Sequence, residues 1–225
     1  MRRAPLVCLV AVVASLVLPP ASSARRRHRR DAGAAARSDF DYYVLSLSWS
    51  PQHCAERTGP PNDRQCGVTR HYAFVVHGLW PQYERGGFPA SCPTDARLER
   101  SVVEGMLDVM PSDALVEHEW AKHGACTGLP AATYFELARR SFGSVAIPAR
   151  YVHPSDAFRV SATDVREDFR AANPGLGERG LAVLCNGNYL TEVRVCVAKD
   201  GVGRRDCGRD VADRCRGTVT VRPVR

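Results

Sequence analysis

Two short segments hold most of the side chains able to do chemistry. The first, Tyr72–Gln82, reads Y-A-F-V-V-H-G-L-W-P-Q and carries His77, Trp80 and Gln82; the second, His118–Cys126, reads H-E-W-A-K-H-G-A-C and carries His118, Glu119, Lys122 and His123. Imidazoles exchange protons near neutral pH, and an ammonium beside them holds an anion such as a phosphate. On a helix, residues four apart share a face, whereas residues five apart diverge by about 140°. The second segment therefore sets Glu119 beside His123 in one row and His118 beside Lys122 in the next. Such a cluster suits a negatively charged substrate group that must also exchange a proton. The zinc-protease pattern H-E-x-x-H is one residue shorter than H-E-W-A-K-H, and Lys122 would repel a cation, so no metal and no other cofactor is expected.

The elements that must position these groups follow from the hydrophobic pattern. Residues 42–49 read as a first strand ended by Pro51, and residues 72–77 as a second, buried on both faces at Ala73–Val76, that delivers His77 to a strand end. Between Asp95 and Met110, the apolar positions Leu98, Val102, Val103, Met106, Leu107 and Met110 recur at helical spacing, and Pro111 closes the segment. A second helix starts near Ser112, carries the second motif and stops at Gly124. A third is predicted from Ala131 to Phe142, and a fourth from a capping box at Ser161 and Asp164 to the stop Asn173-Pro174-Gly175. The last third turns to strands, 181–185 and 189–198, flanking the hairpin signal Asn186-Gly187-Asn188. Strands and helices in separate runs imply an α+β fold, a central antiparallel sheet packed with several helices in one domain.

Composition narrows the setting. Arg2 and Arg3, the apolar run Leu6–Leu18 and the small residues up to Ala24 form the pattern of a secretory signal peptide over residues 1–24, too short for a membrane span. A basic and Ala-rich arm covers 25–38 and the domain 39–225. The formal charge of +7 comes from the N-terminus: residues 1–30 hold seven arginines and no acid, leaving 24 basic against 24 acidic residues. Net charge therefore says little about a nucleic-acid partner. Removing Cys8 with the signal leaves eight cysteines, Cys54, Cys66, Cys92, Cys126, Cys185, Cys196, Cys207 and Cys215, which in an exported chain read as four disulfides. Sequence alone allows 105 pairings.

The strings F-V-V-H-G-L-W-P-Q at 74–82 and H-E-W-A-K-H-G-A-C at 118–126 resemble the two active-site segments of the T2 family of secreted acid ribonucleases. The likeness extends weakly through Trp49, the cysteines and the C-terminal strands. It implies His77 and His123 as the proton-transfer pair, with His123 the base and His77 the acid. Glu119 and Lys122 would support the transition state, and His118 would hold or orient the phosphate. The resemblance also suggests the disulfides Cys54–Cys66, Cys92–Cys126, Cys185–Cys215 and Cys196–Cys207. It implies an endoribonuclease cleaving single-stranded RNA through a 2′,3′-cyclic phosphate to 3′-phosphate products. DNA, without the 2′-OH nucleophile, would be inert.

Two histidines in opposite protonation states, with pKa values near or below about 6.5, imply a bell-shaped rate profile on the acid side of neutrality. For base binding the candidates are Trp80 and Tyr83 for stacking and Gln82 for hydrogen bonding; Trp80 is equally readable as core, and Trp120 reads as core. His28, His53, His71 and His153 are read as uninvolved in catalysis. A secreted or periplasmic monomer is expected. The rival readings are a binding or toxic protein on the same fold, with catalysis incidental, and a chelator-sensitive metallohydrolase.

Overall fold

The computed structural model describes residues 39–57, 63–67 and 71–224. The expected signal segment and the arm at 25–38 lie outside them. Within the described residues six strands form one sheet: β1 (Tyr42–Trp49), β2 (Phe74–Gln82), β3 (Phe158–Ser161), β4 (Leu181–Asn186), β5 (Tyr189–Val197) and β6 (Thr218–Val221). Its order is β2-β1-β5-β6-β3, with β4 also paired to β5; every pairing is antiparallel except the single β5–β6 contact at Tyr189 and Thr220. Among the described residues five α-helices accompany it: α1 (Ser50–Glu56), α2 (Arg100–Glu104), α3 (Asp113–Lys122), α4 (Ala131–Gly143) and α5 (Ala162–Ala172). The α+β architecture read from the sequence is the one observed.

One sheet face builds the core. Tyr43, Leu45 and Leu47 of β1, Phe74, Val76 and Leu79 of β2, and Val193, Val195 and Val197 of β5 pack with Val116 and Trp120 of α3 and with Tyr134, Phe135, Leu137 and Ala138 of α4. Alternation along β1 and β5 turns the intervening residues to the opposite face, among them Ser46, Glu192 and Arg194. Along β2 the alternation breaks. Ser46 pairs with Gly78 and Leu47 with Val76, so His77 is an extra residue without a partner on β1. This β-bulge is why Val76 and Leu79, three apart, both reach the core.

Three sequence expectations need correction. His77 lies in the middle of β2 and not at a strand end, because β2 continues through Gly78 to Gln82. Pro81 is tolerated there since β2 is the sheet's edge and needs no further ladder donor at that residue. The helix expected over Asp95–Met110 reduces to Arg100–Glu104, followed by turns. Gly105 ends it, and the Val109 carbonyl instead accepts the Val76 N–H at 2.8 Å, extending the outer edge of β2. Val103, Met106, Leu107 and Met110 are buried all the same, so their spacing recorded a buried face rather than a continuous helix. Pro51, read as a strand terminator, also opens α1 in the first turn, where its missing N–H is not needed.

The site-bearing helix starts where expected, and Ser112 Oγ accepts the Leu115 N–H at the start of α3. Beyond Lys122 the chain tightens into a 3₁₀ turn, Gly124–Thr127. Gly124 is required there, since a Cβ would lie 2.5 Å from the Trp120 ring and 2.8 Å from Tyr134. The four disulfides pair as the resemblance implies: Cys54–Cys66, Cys92–Cys126, Cys185–Cys215 and Cys196–Cys207. Cys92–Cys126 fastens the loop after β2 to the turn after α3, and the Ser91 N–H donates to the Lys122 carbonyl at 2.8 Å beside it. Replacing both cysteines by serine is expected to lower stability by about 2–5 kcal/mol in denaturant unfolding. Activity should be lost at lower denaturant concentrations than in the parent protein; an unchanged unfolding midpoint would contradict this role.

Candidate active site

The bulge at His77 and the C-terminal end of α3 meet across Trp80. His77 is partly exposed, whereas Glu119 and His123 are buried, 1% and 4% exposed. His118 is exposed and Lys122 half-buried, so the two helical rows expected from the spacing become an inner row, Glu119 and His123, and an outer row, His118 and Lys122. His123 has left helical geometry (φ −122°, ψ −50°), but its N–H still closes the last turn onto the Glu119 carbonyl at 3.0 Å. One Glu119 oxygen accepts the Trp80 indole N–H at 2.6 Å, and the other lies 4.0 Å from His77 Nε2. Gly78 makes room for this arrangement.

Trp80 is the hub of the cluster. His77 meets it edge-on with ring centroids 5.1 Å apart, His123 lies 5.4 Å away at 32°, and the Arg194 guanidinium sits 4.9 Å from the indole centroid. Behind His77, Nδ1 is 3.0 Å from one oxygen of Glu192, whose other oxygen is 3.0 Å from Arg194. A pocket of about 120 Å³ opens beside His77, lined by Ser48, His53, Arg57, Gln65, Val75, Val76, Ser112 and Leu115. A larger cavity of about 440 Å³, near Cys54, Tyr72 and Arg222, includes none of the motif histidines.

The environment gives the two inner imidazoles opposite tendencies. His123 is pushed down to about 3, first by burial and then by the nearby charges of Lys122, His118 and His77. Its Nδ1 is buried with no hydrogen-bond partner, so a charged ring would hold an N–H without an acceptor. For His77 burial also favours the neutral ring, but the hydrogen bond and charge of Glu192, followed by the charge of Glu119, prevail and raise it above the usual value. Burial lifts Glu119 to about 7 against the opposing pull of His77, Trp80 and Lys122. The result is one imidazole that resists protonation and one that holds its proton, about a shared indole. That is an arrangement for moving one proton in and another out.

A sequence model of the Ribonuclease T2 family matches residues 40–207. The chain belongs to the ribonuclease T2 family. It is 34% identical over 212 residues to a ribonuclease of Aeromonas hydrophila, covering 91% of each chain, and 28% identical to ribonuclease I of Escherichia coli, covering 73% of this chain and 77% of that one. Among solved structures, an RNase-related protein from Calystegia sepium superposes with a TM-score of 0.67 at 21% identity, over 84% of this chain and all of that one. A mutant of RNase MC1 in complex with 5′-UMP superposes with a TM-score of 0.64 at 23% identity, over 80% and 97%. These likenesses show a ribonuclease on the T2 fold.

Within that T2 fold the structure gathers His77, Trp80, Glu119 and His123 into direct contact and brings Lys122 and His118 close enough to depress His123. The base-binding expectations need revision. Gln82 is only 4% exposed and has little surface to offer a base. Tyr83 is half-buried against the core. The aromatic ring that sequence reasoning missed is Phe88, 45% exposed and 5.5 Å from His123. Its signal was the Gly86-Gly87 pair ahead of it, both with positive φ (101° and 78°), in the tight turn that closes where the Tyr83 N–H donates to the Gly87 carbonyl at 3.0 Å. Glu192 and Arg194 were also missed. Trp80 packs on a small cluster with Tyr42, Val44 and the Cys196–Cys207 bridge while remaining partly exposed.

Proposed function

We propose that the protein is an exported, metal-independent endoribonuclease that cleaves single-stranded RNA with little base specificity by transphosphorylation. The observation that carries this reading is the opposed proton preference of His77 and His123 around Trp80. Neutral His123 takes the proton from the ribose 2′-OH, and the 2′-oxygen attacks phosphorus. The bond from phosphorus to the 5′-oxygen breaks, and that oxygen receives the proton of His77. The products are a 2′,3′-cyclic phosphate and a free 5′-OH; with the roles reversed and water as nucleophile, the cyclic phosphate opens to a 3′-phosphate. Negative charge that gathers on the nonbridging oxygens faces Lys122, His118 and a Glu119 carboxyl held by Trp80.

Trp80 and Phe88 offer stacking surface on one side of the reacting phosphate, and the pocket lined by Ser48, His53 and Leu115 offers space beside His77. The 5′-UMP bound to RNase MC1 is in keeping with a nucleotide at such a site. Stacking tolerates every base, which agrees with low base specificity. Residues 1–24 act as a signal peptide and 25–38 as a basic arm, leaving domain 39–225 as a secreted or periplasmic monomer.

The test is the pH dependence of kcat/KM on RNA, with and without a chelator. Activity rises as His123 loses its proton through about pH 3. It falls as His77, whose value lies above 6.5, loses its own. The profile is a bell with its plateau below neutrality, unchanged by chelator. A rate still climbing above pH 8, or one abolished by the chelator, would remove the reading.

A further inference from the structure

Resting on the reading of His77 as the proton donor, we propose that Glu192 is its positioning residue: by accepting the Nδ1–H it aims a protonated Nε2 at the leaving oxygen, and Arg194 holds Glu192 in place while lying on Trp80. The geometry is specific. Glu192 Oε1 lies 3.0 Å from His77 Nδ1, whereas Glu119, the other carboxylate near His77, approaches Nε2 no closer than 4.0 Å and is engaged by the Trp80 indole at 2.6 Å. Glu192 is 8% exposed, and its second oxygen is held by Arg194 at 3.0 Å.

The sheet makes this possible. Glu192 and Arg194 alternate on β5 on the face turned away from the core, and β1 lies between β5 and β2 with Ser48 and Ser46 opposite them on that face, small residues across which Glu192 reaches His77. The bulge supplies the complementary half. His77 has no partner on β1, so its ring is fixed by a side chain from β5 and not by a neighbouring pair.

A histidine whose Nδ1–H is bound to a carboxylate has its tautomer and ring plane settled. The proton delivered in catalysis is then the one on Nε2. It passes to the 5′-oxygen as the phosphorus–oxygen bond breaks, and His77 is left neutral with Nδ1–H still on Glu192. Glu192 gains no proton. It acts through His77, and the second pair, Arg194 over the indole, ties the donor's orientation to the ring on which a base is proposed to stack.

Among the described residues, the charged and titratable groups around His77 are Glu192 and Arg194 from β5, Glu119 from α3, His123 after α3, His53 from α1 and Arg57 just after it, which lines the same pocket. Glu192→Gln keeps the shape and a hydrogen-bond acceptor but removes the charge. In the oxidised, full-length folded protein, His77 followed by NMR should titrate about one pH unit lower in this variant. The alkaline limb of kcat/KM should move down with it, and kcat should fall roughly 10–100-fold, the effect typical of removing the group that orients an imidazole. Glu192→Asp should restore part of both.

Arg194→Gln, which removes a neighbouring positive charge, should move the His77 titration upward; a merely loosened structure would not shift the two variants in opposite directions. If Glu192→Gln fails to fold, Glu192→Asp, which keeps the charge but shortens the reach to His77 Nδ1, carries the test through a smaller shift in the same direction. A His77 titration and alkaline limb unmoved in the folded variants would overturn the proposal. The NMR titration needs no activity, so failure of the ribonuclease reading shows separately, as a His77→Ala protein that still cleaves RNA.

Discussion

His77→Ala and His123→Ala each lower kcat/KM on RNA by about 10²–10⁴-fold while the protein keeps a cooperative unfolding transition. The size is that of removing a general acid or base from a reaction that needs both. Because the two imidazoles serve one turnover, the double variant loses little more than either single one. The fold tolerates the changes for different reasons. His77 is partly exposed and stands on an unpaired bulge residue, and His123 lies at the end of α3, where its backbone N–H and not its ring closes the helix. Steady-state kinetics with circular dichroism checks this, and near-parental activity in either folded variant would contradict the roles assigned.

Gly78→Ala is expected to be nearly as damaging, although it adds a single methyl group and removes no group that could exchange a proton. A Cβ at this position would lie 2.0 Å from a Glu119 oxygen and 2.2 Å from the Trp80 indole nitrogen, within the hydrogen bond that joins them. Neither partner can retreat easily, because Glu119 is buried and Trp80 is packed against His77, His123 and Arg194. The methyl must separate them, at a cost of about 1–3 kcal/mol of stability. Displacing catalytic groups by about 1 Å should cost roughly 100-fold in kcat/KM. Gly143→Ala, where an added Cβ meets nothing within 4 Å, is the control and should leave activity at the parental level. A fully active Gly78→Ala enzyme would mean that contact between Trp80 and Glu119 is dispensable.

The sequence made the chemistry more legible than the geometry. Helical spacing in the second motif set Glu119 and His123 apart from His118 and Lys122, and burial divides the four in the same way, because a helix capped at Ser112 leaves little choice of face. The first motif was harder. Its strand was visible in Ala73–Val76, but the bulge that re-aims His77 depends on how β2 registers against β1, and no local signal sets that register.

The same limit hid Glu192 and Arg194. Their alternation on β5 was readable, yet their nearness to His77 exists only because β1 lies between β5 and β2 with serines on the shared face. Phe88 depended on a turn of two positive-φ glycines. At Leu98–Met110 the pattern reported burial correctly and secondary structure incorrectly, since a tertiary hydrogen bond from Val76 N–H to the Val109 carbonyl competes with continued helix.

The central claim is that the substrate's own 2′-OH is the nucleophile and that two imidazoles, without a metal, move its protons. The most direct measurement uses a single-stranded RNA oligonucleotide and a matched copy with one 2′-deoxy linkage, incubated with the oxidised protein at pH 5 in chelator, with products identified by mass. The account predicts cleavage at every susceptible linkage except the deoxy one, with 2′,3′-cyclic phosphate ends appearing first. Cleavage at the deoxy linkage, or 5′-phosphate products, would contradict it.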